Sequence, residues 1–177
     1  PGERKATAYV ASVFEQIGLE PAGAGGGWFQ PFSFAAGASL GADNRLGIAG
    51  LGEPFEPELE RDWRPLALSR SGEASAGVAF AGYGIVAPGA DKVPAYDAYG
   101  DLDVAGKWVM VLRFQPESVP AEWRRHLLHY SDLPYKAAVA KRKGALGLIV
   151  VTGPQATASE QLVELKMDAA SASTSLA

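Results

Sequence analysis

The chain has 177 residues, enough for one domain of ordinary size or one domain with an appendage, and long enough to bury a core. Sixteen basic against twenty acidic residues give a net charge of −4 and no basic run longer than Lys141-Arg142-Lys143, which argues against a surface that tracks nucleic-acid phosphates. The absence of cysteine excludes disulfides, thiolate zinc sites, iron–sulfur clusters and cysteine nucleophiles, and no apolar stretch is long enough to span a membrane.

Twenty-one glycines and twelve prolines favour many short elements joined by turns over a helical bundle. The chain opens on Pro1, not Met, which suggests a piece of a longer protein. Ala6, Tyr9, Val10, Val13, Phe14 and Ile17 recur at steps of three and four, which predicts an amphipathic helix over 3–17, with Gly18 at its C-cap and Pro21 beyond. Residues 22–27 (AGAGGG) then read as a flexible hinge, so 1–27 and 28–177 are the expected domain divisions.

Aromatic residues at 28–34 suggest an edge strand bearing Pro31. Short apolar runs at 45–51, 63–68 and 77–85 suggest further strands. Lys107 to Phe114 (KWVMVLRF) is nearly continuous in apolar character and predicts a strand buried on both faces. Downstream, Leu133, Ala137 and Ala140, and less regularly Tyr135, mark a helix. Lys136, Lys141, Arg142 and Lys143 fall on its other, solvated side, and Gly144 ends it. A second buried strand follows over 145–151 (ALGLIVV), so strand, helix and strand form a βαβ unit. The tail from Gln155 is rich in Ala, Ser and Thr.

Candidate chemistry is sparse. Gly37-Ala38-Ser39-Leu40-Gly41 has the written form of a nucleophile elbow, but the residues after Gly41 do not read as the helix an elbow requires. His126, His129 and Asp132 are spaced by three, as metal ligands on one helix face would be, yet Arg124 and Arg125 oppose a cation there. Gly82-Tyr83-Gly84 lacks the third glycine of a phosphate loop and suits a bent strand that something approaches closely. Tyr96-Asp97-Ala98-Tyr99 places two rings around a carboxylate in a loop, a combination suited to peptide contact or to anchoring the loop.

Five stretches in order carry a family resemblance: Phe80 to Ile85 (FAGYGI), Tyr96 to Tyr99, Leu102 to Arg113, Tyr130 to Ala137 and Gly144 to Pro154. Together they resemble the protease-associated (PA) domain found inside bacterial zinc aminopeptidases, and the opening helix with Gly18-Leu19-Glu20-Pro21 and Trp28 to Phe32 resembles the start of the same peptidases. The resemblance implies an α/β fold of the swivelling β/β/α type, with two small sheets and flanking helices, incomplete at its C-terminus. It implies a noncatalytic module that covers or shapes a peptidase active site and helps to select peptide substrates. Neither histidine begins the His-x-Asp pair of that family, and no Glu-Glu pair occurs, so no catalytic or zinc-binding residue carries over and the zinc belongs to a separate domain. Expected partners are that parent peptidase domain and a peptide or protein substrate, with no nucleic acid and no membrane. Tyr83, Tyr96, Asp97 and Tyr99 are the candidate substrate contacts. A periplasmic or extracellular location is implied by the resemblance alone. The alternatives are a serine hydrolase using Ser39 with His126 or His129, and a free-standing interaction module.

The apolar stripe on the opening helix predicts self-association through that helix. Deleting residues 1–27 should leave the stability of the remainder nearly unchanged and reduce self-association, as checked by urea unfolding at several protein concentrations.

Overall fold

The computed structural model describes residues 2–32, 39–50, 52–153 and 161–165. The chain forms two compact units, Pro1–Ala35 and Ala36–Ala177.

In the first unit, helix α1 spans Gly2–Gln16. Gly18 at φ 79° ends it as expected: Leu19 N–H donates to Phe14 O at 3.0 Å and Gly18 N–H to Glu15 O at 3.1 Å, the paired bonds of a Schellman cap. No residue of α1 is buried, and Tyr9 and Ile17 on the apolar stripe are 71% and 65% exposed. The glycine run expected to lack regular structure instead closes a single 3₁₀ turn at Ala24–Gly26, with Gly26 N–H donating to Gly23 O at 3.1 Å and Gly27 N–H to Ala24 O at 3.3 Å, and Gly23 N–H reaches back to Gly27 O at 2.7 Å. A Cβ on Gly23 would stand 2.5 Å from Phe29 O, so the turn depends on a residue without one. Trp28 is not in a strand, and neither are residues 29–32; its ring lies 6.1 Å from that of Phe14.

The second unit is built on a parallel sheet of β1 (Val78–Phe80), β4 (Trp108–Leu112) and β5 (Gly147–Val151) in the order β1-β4-β5. A separate antiparallel pair joins β2 (Val86–Ala87) to β3 (Tyr96–Asp97). Helix α2 covers Ala121–Leu128 and α3 covers Leu133–Arg142. The βαβ unit read from the sequence is therefore present as β4, α3 and β5. Among the described residues, the runs at 45–51 and 63–68 give only isolated bridges, Ile48 with Phe55 and Leu59 with Trp63, in place of the expected strands.

One face of the sheet is the core. Val109 and Val111 are fully buried with Val139 of α3, Val104, Ala81 and Tyr99, and Ala79, Leu148 and Val150 pack against them. The opposite face, with Trp108, Met110 and Leu112 of β4 and Ile149 and Val151 of β5, is only partly buried. This corrects the expectation of strands buried on both faces, since α3 covers one side only. A second cluster gathers Ile85, Ala87 and Leu127 with Tyr83, Tyr96, Trp123 and Tyr130. Helix α2, which the polar segment around it did not suggest, exists to deliver Leu127 and Trp123 to that cluster.

Between β1 and β2 the chain turns through Gly82 (φ 51°) and Gly84 (φ 64°), and a Cβ on Gly84 would lie 2.5 Å from a methyl of Val111. The expected close approach is thus real, and its partner is the central strand. Val111→Ala should cost about 1–4 kcal/mol through lost transfer energy and a residual cavity. Ile149→Ala, on the half-buried face, should cost less, and Gly84→Ala should be strongly destabilising, all measured by urea unfolding.

Candidate functional site

The C-terminal end of β4 is where the polar groups of this unit converge. The strand leaves through Arg113 and Phe114, and Phe114 adopts φ 68°, a left-handed conformation uncommon for a non-glycine residue. Its carbonyl and that of Leu112 both point to the first turns of α3. That helix starts cleanly, because the Asp132 carboxylate accepts from Tyr135 N–H at 2.6 Å as its N-cap and Pro134 occupies the first turn.

One turn further on, Lys136 is completely buried, which corrects its expected place on the solvated side. Its Nζ donates to Leu112 O at 2.8 Å and to Phe114 O at 2.5 Å, and sits 5.9 Å from the centre of the Tyr83 ring. Burial pushes the ammonium down to about 8, against a smaller upward pull from the Asp132 carboxylate. The signal was present in the sequence: Lys136 lies three residues after Leu133 and four before Ala140, on the apolar stripe itself.

Beside this latch an open depression of about 370 Å³ is lined by Arg113, Phe114, Gln115, Leu128, Ser131, Asp132 and Leu133. Arg113 stacks its guanidinium 4.9 Å from the Phe114 ring and donates to Gln161 O at 3.3 Å. Leu128 is 57% exposed, so the depression has an apolar wall and a cationic rim.

Of the four residues expected to meet substrate, the three tyrosines are divided between the two clusters and Asp97 is exposed, outside both. Tyr83 and Tyr96 belong to the second, where Tyr96 meets Trp123 edge-on at 6.0 Å and burial raises its hydroxyl's pKa, with a smaller contribution from Tyr83. Tyr99 is buried in the first. Desolvation, and then the Asp97 charge, push its hydroxyl up to about 12, and Lys143 Nζ lies 5.0 Å from its ring. Burial pushes the Asp97 carboxyl up, but Tyr99 N–H at 2.8 Å, Lys143 and Gly100 N–H outweigh it and hold the group below its ordinary value. Asp97 thus closes an Asx turn, with Lys143 as a 3.4 Å ion-pair partner.

Ser39 is exposed, and after it the chain turns at Ala42-Asp43 with Asn44 Nδ2 donating to Gly41 O at 2.8 Å, so no helix leaves Gly41. Residues 33–38, which would supply the strand of an elbow, lie outside the described residues. His126 contacts Pro88 O at 2.8 Å through Nε2, His129 caps α2, and Asp132 caps α3. These three do not fit a zinc ion, and among the described residues no group of three His, Cys, Asp or Glu is placed to hold a metal.

No family model, no curated protein and no solved structure matches this chain. The resemblance to the PA domain rests on the quoted motifs alone. Among the described residues, no helix is long and apolar enough to cross a membrane.

Because the Lys136 pKa is lower in the folded than in the unfolded chain, this group holds more protons in the unfolded state between about pH 8 and 10.5, and its contribution to stability rises with pH across that window. From pH 8 to 9.5 the gain should be on the order of 1–2 kcal/mol. The same unfolding series on Lys136→Met should lose this slope. An unchanged slope would assign the pH dependence to other groups.

Proposed function

We propose that this chain is a noncatalytic module of the protease-associated type. It covers or shapes the active site of a zinc aminopeptidase whose metal sits in another domain, and it helps to select peptide substrates. The observation that carries this reading is where the polar side chains are spent. His126 is held by a main-chain carbonyl, Asp132 and Asp97 accept from main-chain N–H groups, and Lys136 donates to two strand-end carbonyls. Groups committed to the backbone in this way build a surface and hold it still. The two small sheets, one parallel and one antiparallel, with α2 and α3 beside them suit the same reading. Its partners are the parent peptidase domain and peptide substrates, and its setting is periplasmic or extracellular.

The test is the complete reading frame that contains these residues. The full product should hydrolyse aminoacyl and peptide substrates in a zinc-dependent manner, and Phe114→Ala and Leu128→Ala within it should change KM for longer peptides more than kcat. The 177-residue chain alone should hydrolyse neither aminoacyl nor ester substrates. A frame without a peptidase domain would leave the free-standing interaction module. Ester turnover by the isolated chain that disappears in Ser39→Ala would establish the serine hydrolase instead.

A further inference from the structure

Among the described residues, strand β1 is an edge of the parallel sheet, paired on one side only, with Val78, Ala79 and Phe80 opposite Trp108, Val109 and Met110. In a parallel ladder alternate residues bond to a given neighbour. Trp108 N–H donates to Gly77 O at 2.9 Å and Ala81 N–H donates to Met110 O at 3.0 Å, so 77, 79 and 81 face β4. The N–H and C=O groups of Val78 and Phe80 therefore turn outward, and among the described residues they have no partner. Their side chains lie on the face opposite Ala79 and are 54% and 57% exposed.

Natural edges of this kind carry devices against strand addition: very short strands, charges, prolines or bulges. The stretch from Ala74 to Ala87 has neither a charge nor a proline. An edge that is short but carries no charge or proline, with two outward hydrogen-bonding residues and two exposed apolar side chains, is a template with a definite complement. We infer that β1 is a docking edge for an extended peptide, which adds antiparallel as a fourth strand and places apolar side chains at alternate positions beside Val78 and Phe80, whose outward groups exchange bonds with the residues opposite them. A second copy of this chain fits less well. Three residues span only about 10 Å, and two such edges together bury far less than the roughly 1,200 Å² that a stable dimer needs. A peptide requires no such area for a weak, exchanging complex.

The inference rests on the peptide-selecting reading for the identity of the natural occupant. Binding itself is read on this chain, so its failure is distinguishable from the absence of a parent peptidase. The probe is the capped heptapeptide Lys-Thr-Val-Thr-Val-Thr-Lys, titrated to about 2 mM into the ¹⁵N-labelled chain, with the same peptide N-methylated at both valines as control. The expected result is selective shifts and slowed hydrogen exchange at the Val78 and Phe80 amides. Binding should weaken at least tenfold both for the N-methylated peptide and for the Val78→Pro variant, which removes an outward donor and no ladder bond. Unmoved Val78 and Phe80 amides, or equal binding of the N-methylated peptide, would overturn the proposal. So would a dimer by sedimentation whose Val78 and Phe80 amides are protected without peptide, which would give the edge to a second copy.

Discussion

A strand that ends inside a fold must satisfy its last carbonyls, and at the exit of β4 this constraint falls on one cation. Lys136 meets the carbonyls of Leu112 and Phe114 from a position with no exposure to solvent. Desolvating an ammonium is costly, and charge-assisted bonds to two carbonyls with an aromatic face nearby offset that cost. Much of the surrounding geometry follows from it. Phe114 takes its left-handed turn so that its carbonyl faces inward, and Asp132 fixes the first turn of α3 so that Lys136 arrives at the right height.

The same device recurs at the neighbouring hairpin. Tyr135, adjacent to Lys136, donates its hydroxyl to Val86 O at 2.6 Å, and His126 reaches Pro88 O from α2. Side chains from both helices thus finish the main-chain bonding of strands too short to finish their own. The rings of Tyr130 and Tyr135, 5.3 Å apart, fill the space between those helices. The hairpin is held less by its own ladder, only two residue pairs long, than by what the helices supply to its backbone.

The sequence was legible where burial and period coincide. The unit formed by β4, α3 and β5, the Gly18 cap and the close approach at Gly82-Tyr83-Gly84 all follow from apolar runs or from glycine beside them. Legibility failed where a polar residue is buried or an apolar one is not. Lys136 looked solvated because charge outweighed its place on the stripe, and helix α2 was hidden because five of its eight residues are polar or alanine while Leu127 and Trp123 do the packing. The aromatic residues at 28–34 looked like a strand, yet 28–32, the part of that run among the described residues, form none. Tyr83, Tyr96, Asp97 and Tyr99 were grouped by side-chain type, and the fold sends Tyr83 and Tyr96 to one cluster and Tyr99, two residues beyond β3, to the other.

The wholly parallel order of the main sheet also sets how this unit acquires its structure. Val78 must find Trp108 about 30 positions away, and Trp108 must find Gly147 about 40 away, so no pair of strands in that sheet can form from chain neighbours. The hairpin of β2 and β3 has no such delay, since its strands are about ten positions apart. Local pieces therefore assemble early and the sheet late, and the folding rate is governed by loop closure more than by the strength of any contact. A chain read out from its N-terminus has β1 waiting, apolar and unpaired, until β4 has been made.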